Sequence, residues 1–249
     1  ALACNRVVIE EYLEGPEISL FGISDGRNIL PMQPVQDFKR AYDHDEGPNT
    51  GGMGAYSPLP WAPDEIVDET YEKVLAPMIA EMAARGTPFV GLLYAGLALT
   101  DLGIKVIEFN ARFGDPETQV LIPLLETPLA TLLLKAATGA LDDVVLSWKE
   151  ASAVTVVLAA EGYPNAPKLN GEITKLPNIS NSQIFHAGTS IVGSNLVSSG
   201  GRVLSVTGIG ADLTESRDRA YRAISQIDLV GSFYRNDIAF NASVAEKGN

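Results

Sequence analysis

The sequence is poor in cysteine, in histidine and in long apolar runs, and each shortage excludes a class of protein. Its 249 residues include one cysteine, which excludes an internal disulfide and a cysteine-rich zinc site. We interpret Cys4 as a small packing residue rather than a nucleophile. Two histidines with no supporting motif give no case for a Ser-His-Asp arrangement. Because no apolar run approaches 18 residues and no signal peptide is recognisable, we expect a reducing, cytoplasmic compartment.

Basic charge is also scarce. The chain has 18 Lys and Arg residues against 31 Asp and Glu residues, for a net charge of -13. Such a chain repels phosphate backbones and anionic membranes, so neither nucleic acid nor a membrane is an expected partner. Nucleotides stay possible ligands, because Mg²⁺ and a few basic side chains can set the field inside a site. Hydrophobic residues make up 46% and supply a substantial core.

The remaining pattern predicts an α+β fold in two parts. A change from helical leucines to a β-rich pattern near residues 147–151 predicts domains at 1–149 and 150–249. Residues 39–60, rich in Gly, Pro, Asn and Asp, are predicted to be a long irregular loop. Helices are expected after Ala62-Pro63, Asp115-Pro116, Thr127-Pro128 and Asp212. The predicted strands are RVVIEEYL (6–13), EISLFGIS (17–24), FVGLLYAGLALT (89–100), IKVIEFNARF (104–113), ASAVTVVLAA (151–160) and GGRVLSVTGIG (200–210). Because the chain enters a core-like strand almost at once, we expect the start of a parent protein to be missing.

The stretch EFNARFGDPETQ (108–119) has polar side chains at every second position of a predicted strand. Glu108, Asn110 and Arg112 would share one face, with Ile107, Phe109 and Ala111 on the core side. A carboxylate and an amide oxygen suit Mg²⁺ or Mn²⁺, and Arg112 could grip a phosphate oxygen. The alternative is a solvated strand face at a sheet edge.

Two more stretches could bind a nucleotide. The predicted strand and turn VVIEEYLEGPEISL (7–20) could hold an adenine, or could simply be a strand and hairpin. The glycines of GPNTGGMGAYSP (47–58) could let backbone N–H groups approach an anion, with Lys39 and Arg40 supplying positive charge. The alternative for this stretch is a flexible surface loop.

Taken together, RFGDPETQ, GPNTGGMGAYSP, QDFKR, FHAGT and GGRVLSVTGIG resemble the phosphoribosylamine–glycine ligases, over residues 7–239. The resemblance implies an ATP-grasp ligase of purine biosynthesis, which joins glycine to 5-phosphoribosylamine through a glycyl phosphate and splits ATP to ADP and phosphate. It implies an ATP-grasp catalytic domain without its amino-terminal part, followed by a small β-rich carboxyl-terminal domain. Because the amino-terminal domain and the lysine-bearing lid of the family are absent, this chain alone is expected to be inactive.

The resemblance also implies roles for individual residues, with Glu108 and Asn110 as ligands of Mg²⁺ or Mn²⁺. Arg112 would lie near the transferred phosphoryl group, and Asp115 would be catalytic or would cap a helix. ATP would contact Glu10, Glu11, Tyr12, Leu13, Glu17 and Phe109. The substrate wall would contain Lys39, Arg40, Asn49, Thr50, Gly51 and Gly52. Leu97 and Leu99 stand where many ATP-grasp enzymes have another acidic metal ligand.

Such an enzyme would act on small molecules as a monomer or weak homodimer. Two other functions stay open at this point. One is an inactive nucleotide-binding piece of a multifunctional purine enzyme, and the other is an ATP-grasp ligase for another carboxylate.

Overall fold

The computed structural model describes residue 7 and residues 9–247, so Cys4 and part of the first predicted strand lie outside the described residues. The predicted α+β fold is confirmed. The strands are β1 (Glu17–Asp25), β2 (Ile29–Pro31), β3 (Gln36–Asp37), β4 (Arg40–Tyr42), β5 (Glu46–Asn49), β6 (Gly54–Ser57), β7 (Val90–Thr100), β8 (Gly103–Asn110), β9 (Ser152–Ala159), β10 (Ile173–Lys175), β11 (Ser182–His186), β12 (Thr189–Val192), β13 (Asn195–Ser198), β14 (Arg202–Gly210) and β15 (Asp228–Leu229). The helices are α1 (Ile66–Thr70), α2 (Ala76–Ala84), α3 (Thr118–Leu124), α4 (Leu129–Ala137), α5 (Leu213–Ile224) and α6 (Phe240–Glu246). None of these helices is both long and apolar enough to cross a lipid bilayer.

The first sheet is antiparallel in the order β2-β1-β7-β8. Both faces of β1 are covered, because Leu20 belongs to the same core cluster as Leu75 of the α1–α2 region, while Phe21 belongs to a second cluster with Leu132 of α4. The predicted hairpin of β7 and β8 is confirmed, with its turn at Asp101-Leu102. Strand β8 is an edge strand, and its residues 106–108 are exposed, whereas most of its neighbour β7 is buried.

The second sheet is antiparallel in the order β11-β14-β9-β6-β3. All eight residues of β9 are buried, because α5 covers one face of the sheet and α3 the other. Val154 lies in the same core cluster as Ala220 of α5, and Ala153 lies with Leu121 of α3. Strands β3 and β6 precede residue 149, yet they complete a sheet whose other strands follow it. The predicted boundary near residue 149 follows a change in the sequence pattern, but this sheet contains strands from both sides of that boundary.

The helix boundaries follow their local signals. Asp212 accepts the Glu215 N–H at 2.7 Å, as an N-cap should, and α5 follows it. Gly86 and Gly139 take positive φ values just past α2 and α4. A π-helical turn at Tyr71–Leu75 joins α1 to α2, and Pro77 lies in the first turn of α2, where proline is favoured.

Two predictions about the amino-terminal third are wrong. Residues 39–60 are not an irregular loop: β4 and β5 form a hairpin, and β6 pairs with β9. The described residues of the first predicted strand, Val7 and 9–13, have no strand structure. Ile9 and Tyr12 are 92% and 89% exposed. An apolar alternation becomes a strand only when a neighbouring strand supplies hydrogen-bond partners, and among the described residues none pairs with this segment.

Candidate active site

The polar face of β8 depends on an irregularity in its pairing with β7. Gly96 lies opposite Glu108, whereas its neighbour Leu97 lies opposite Val106, so Ile107 is an extra residue. Such a bulge disrupts the simple alternation of faces. Ile107 is therefore exposed at the polar side, and the prediction that it packs into the core is wrong. Ala111 is also exposed, beyond the end of the strand, and Phe109 alone of the three packs against the core.

Glu108 and Asn110 do share a face, as predicted. The Asn110 side-chain N–H donates to Glu108 Oε1 at 2.9 Å, which holds the carboxylate and the amide side by side. Opposite them on β7 stands Gly96, and Leu97 is fully buried. Arg112 lies just past the strand, where its Nη1 donates to the Phe113 carbonyl at 3.0 Å. The described residues contain no cluster of three or more His, Cys, Asp or Glu side chains suited to a metal ion.

A cavity of about 370 Å³, here called the central cleft, lies beside this face. Its walls come from β1, β3, β7, β8, the turn before α3 and the loop of residues 50–53, here called the Gly51 loop. Eight of the residues predicted for the site meet here, and five others that were not predicted join them. The lining residues are Glu17, Asp37, Lys39, Asn49, Thr50, Gly51, Tyr94, Gly96, Ile107, Glu108, Arg112, Asp115 and Glu117.

A second cavity of about 340 Å³, here called the outer cavity, adjoins the first. Glu17 and Ile107 line both. The four residues predicted to hold adenine are in the outer cavity, which is lined by Glu10, Glu11, Tyr12, Leu13, Glu17, Lys105, Val106 and Ile107. The predicted adenine residues thus line the outer cavity, whereas Glu108, one of the two predicted metal ligands, lines the central cleft.

Four predicted site residues line neither cavity. Asn110 is one of them, although its side chain contacts Glu108, and the other three are Arg40, Gly52 and Phe109. Arg40 points along its own hairpin, where its Nη1 donates to the Gly47 carbonyl at 2.7 Å. Gly52 lies behind the cleft wall with φ +107°, and a Cβ there would collide with Pro116. Phe109 supports β8 from the core side. Within the described residues, none of the four lines either cavity.

Lys39 is the central cation of the cleft. Its Nζ forms an ion pair with the carboxylate of Glu17, from β1. Burial alone would lower the pKa of Lys39, but the carboxylates of Asp37, Glu17 and Glu108 outweigh it and raise the pKa. Lys39 therefore keeps its positive charge at neutral pH, next to the Glu108 face.

Two acids that line the cleft, the buried Glu117 and the partly buried Asp37, were not predicted as site residues. Glu117 is 3% exposed, and its Oε1 accepts a hydrogen bond from the Ser19 hydroxyl at 3.4 Å. Burial raises the pKa of Asp37 to about 6, and the charge of Glu117 adds to the rise while Lys39 opposes it. The pKa of Tyr94 is also raised by burial and by these two carboxylates. Both acids lie inside the motifs QDFKR and RFGDPETQ, so their position in those motifs was a signal that could have been used.

The glycine-rich loop does not present its N–H groups to the cleft. Backbone N–H groups of residues 50–53 are all paired within the protein, so the predicted backbone anion cradle is wrong for them. Their acceptors are the Lys39 carbonyl for Thr50, the Tyr163 hydroxyl for Gly51, Thr50 Oγ1 for Gly52 and the Phe38 carbonyl for Met53. The glycines serve close packing instead, since a Cβ on Gly51 would lie 2.9 Å from Arg202 Cζ.

Asp115 faces the cleft and does not cap α3. Its Oδ1 accepts from Gln119 Nε2 at 3.0 Å and from Arg202 Nη1 at 3.2 Å, but from no helical N–H. The helix after it is nevertheless present, with Glu117 at the N-cap position. Arg202 comes from β14, far along the chain, and was not predicted to contribute.

Comparison with known proteins places this geometry in a family. The model for the phosphoribosylglycinamide synthetase ATP-grasp (A) domain matches residues 2–118, and the model for the C domain of the same synthetase matches residues 153–241. The phosphoribosylamine–glycine ligase of Streptomyces coelicolor is 59% identical over 98% of this chain and 60% of its own length. That of Corynebacterium ammoniagenes is 52% identical over 99% of this chain and 57% of its own length.

A solved structure agrees with the sequence comparison. The crystal structure of phosphoribosylamine–glycine ligase from Thermotoga maritima superimposes with a TM-score of 0.85 at 36% identity, covering 92% of this chain and 57% of that one. The chain thus spans about 60% of the length of the relatives it matches. The ATP-grasp fold expected for the first part is confirmed, as is the carboxyl-terminal domain after it. The chain belongs to the phosphoribosylglycinamide synthetase family and carries both ATP-grasp residues and the C domain of that family.

Proposed function

We propose that this chain is part of a ligase that joins glycine to 5-phosphoribosylamine and converts ATP to ADP and phosphate, in de novo purine biosynthesis. One observation carries the proposal: Lys39, Glu108, Arg112 and Asp115 converge on a single cleft that adjoins the cavity of residues 10–13. The relatives are phosphoribosylamine–glycine ligases by name, which supplies the substrates.

The outer cavity would hold the adenine of ATP. Glu10, Glu11, Tyr12 and Leu13 line it, and Glu17 stands between it and the central cleft, where a ribose would lie. A nucleotide placed in this way points its phosphates toward Glu108 and Lys39. Phe109 contributes indirectly, by packing β8 against the core.

Glu108 and Asn110 would hold Mg²⁺ or Mn²⁺. The pair fits such an ion, because a carboxylate and an amide supply hard oxygen donors from one face. Mg²⁺ sites of this kind use one or two protein ligands and take the rest from substrate phosphates and water. When bound, the ion would neutralise phosphate charge and favour attack at the γ-phosphorus.

Around the reacting atoms, the chain supplies charge and orientation. A glycine carboxylate oxygen would bond to the γ-phosphorus as the bond to ADP breaks, giving glycyl phosphate. The amine of phosphoribosylamine would then bond to the glycyl carbonyl carbon, with loss of phosphate and a proton. Arg112 would stabilise charge on the transferred oxygens, and Lys39 would hold anionic groups beside it. Asp115 would orient the amine from the opposite wall.

The remaining assigned residues would shape the substrate wall. Asn49, Thr50 and Gly51 line the cleft, whereas Gly52 and Arg40 would act through the shape of the loop. We propose that the protein works in the cytoplasm on small molecules, without nucleic acid or membrane partners, as a monomer or weak homodimer. The single cysteine and the net charge of -13 support this part of the proposal.

The function is tested by measuring ADP release. The protein assayed has the full length of the relatives and contains the residues of this chain. Mg-ATP, glycine and fresh phosphoribosylamine are supplied together and then omitted in turn, with Glu108→Ala run beside the unmodified protein. Release that needs all three, and collapses in the variant, supports the proposal. Release without glycine would indicate an ATP-grasp ligase for another carboxylate. Folded protein that binds ATP and releases nothing would be an inactive nucleotide-binding module.

A further inference from the structure

Arg202, on β14 of the carboxyl-terminal part, reaches the wall of the central cleft. Its Nη1 donates to the Gly51 carbonyl at 2.6 Å and to the Asp115 carbonyl at 2.7 Å. The same nitrogen lies 3.2 Å from Asp115 Oδ1 and 3.4 Å from the Gly52 carbonyl. One cationic group thus joins the Gly51 loop to the turn before α3, two segments separated by more than sixty residues.

Tyr163 holds Gly51 through the N–H group of that residue. Its hydroxyl oxygen accepts the Gly51 N–H at 3.0 Å. The Tyr163 ring lies so close to Gly201, which precedes Arg202, that a Cβ at residue 201 would overlap it. Tyr163 therefore packs against the residue that precedes Arg202 in the chain. Between them, Tyr163 and Arg202 fix both the N–H and the carbonyl of Gly51.

These contacts add to the hydrogen bonds that tie residues 50 and 53 to Lys39 and Phe38. Gly51 has no side chain, so its place depends on the bonds of its backbone N–H and carbonyl, which go to Tyr163 and Arg202. Hydrogen bonds from a guanidinium are charge-assisted and stronger than those between neutral groups. The Arg202 side chain is 21% exposed, so water competes with them only in part.

We propose that Arg202 and Tyr163 are positioning residues that set the place of Gly51 and Asp115 in the central cleft. Neither lines the cleft within the described residues, so they act through the two residues that do. The proposal rests on the proposed function in so far as the cleft is taken to bind phosphoribosylamine. It assigns the C domain a direct part in the shape of the active site.

Two measurements test it, and the first needs no activity. Amide hydrogen exchange is measured in this chain for Tyr163→Phe, Arg202→Ala, Arg202→Lys and the control Arg85→Ala, whose ion pair with Glu81 lies on an exposed helix. Tyr163→Phe should speed exchange at the Gly51 amide. Arg202→Ala should speed it across residues 50–53 and around residue 115, with Arg202→Lys intermediate and Arg85→Ala unchanged.

The second measurement is steady-state kinetics in the protein of full length. Arg202→Ala should raise KM for phosphoribosylamine about tenfold, since small misplacements of binding groups cost up to about a hundredfold in rate. KM for ATP should change by less than about twofold, because the adenine residues lie in the outer cavity. Arg202→Lys should recover part of the loss.

The outcomes separate the two proposals. Faster exchange at Gly51 in the Tyr163→Phe and Arg202→Ala variants, together with no turnover by the unmodified protein of full length, would leave the positioning role standing and remove the proposed function. Unchanged exchange in Tyr163→Phe and Arg202→Ala would overturn the positioning role. So would a fall in Tm with no change in exchange or in KM. If Arg202→Ala does not fold, Tyr163→Phe still decides, because it removes one hydroxyl alone.

Discussion

The guanidinium of Arg235 and the carboxylate of Asp45 form an ion pair with 2.8 Å between Nη1 and Oδ1. The Arg235 side chain is 1% exposed, stacks over Phe38 and also pairs with Asp237 at 2.7 Å. A cation from the carboxyl-terminal part is therefore buried against the hairpin that leads to the Gly51 loop. Asp237 adds a second link between these two parts of the chain, because it accepts a hydrogen bond from the His44 N–H at 2.8 Å.

Replacing this arginine should destabilise the whole chain. Arg235→Met leaves the partly buried Asp237 without its cation, whereas water can solvate the exposed Asp45, so the free energy of unfolding should fall by about 2–3 kcal/mol. The control is Arg27→Ala, which removes an exposed pair with Asp142 and should cost less than about 1 kcal/mol. Urea denaturation of the three proteins measures the difference. Equal losses in both variants would show that the buried pair contributes no more than a surface one.

Asp37 should make the protein less stable as pH rises toward 6. Burial raises the pKa of Asp37 from 3.8 to about 6, so the folded protein holds a proton that the unfolded chain has lost between these values. The stability from this proton is fully present below about pH 4 and is lost as pH passes 6. Asp37→Asn should therefore be more stable at pH 7 by about 2 kcal/mol, with a flatter pH profile. Thermal unfolding from pH 4 to 7 measures it, with exposed Asp64→Asn as the control. A less stable Asp37→Asn at pH 7 would contradict the prediction.

Gly52 should tolerate no side chain. Its φ is +107°, and a Cβ would collide with Pro116. Gly52→Ala should cost about 3 kcal/mol, from the left-handed backbone and from overpacking together. Gly193→Ala is the matched control, because its φ is +63° and no atom lies within 4 Å of the added carbon, so only about 1 kcal/mol is expected. Chemical denaturation compares the two, and similar losses would show that contact with Pro116 is unimportant.

Removing the charge of Glu108 should weaken metal binding without unfolding the protein. Glu108→Gln keeps the shape of the side chain that Asn110 contacts at 2.9 Å. Calorimetry in the protein of full length, with an ATP analogue present, measures the affinity for Mn²⁺. This affinity should fall about tenfold or more, since even the loss of a group that only orients a metal ligand lowers metal affinity by that factor. The exposed Glu150→Gln should bind as the unmodified protein does. Unchanged Mn²⁺ binding in Glu108→Gln, with unchanged Tm, would remove Glu108 from the metal site.

What the sequence could predict was largely local. The hairpin of β7 and β8 and the Asp212 cap depend on residues within a few positions of each other. The segment 39–60 was mispredicted because β6 gains its partner from β9, about a hundred residues later. Its glycines resemble loop residues, yet they allow close packing of strands: a Cβ on Gly54 would lie 2.7 Å from the Thr155 carbonyl.

In the candidate site, too, local features could be predicted from the sequence and contacts between distant residues could not. Glu108, Arg112 and Asp115 could be predicted because one motif contains them all. The bulge at Ile107 could not, since it depends on the register with β7. Arg202 and Tyr163 could not either, because only the folded chain brings β14 to the Gly51 loop.

The sheet that joins β6 to β9 has a consequence for the modularity of the chain. The two regions matched by the family models meet inside one hydrogen-bonded sheet and share a continuous core. A cut near residue 149 would strip β9 of its neighbour and leave an unpaired edge, which is prone to aggregate. The two regions are therefore interdependent in folding. A chimera that exchanges one region must keep the pairing of β6 with β9, either by exchanging both strands or by matching their sequences.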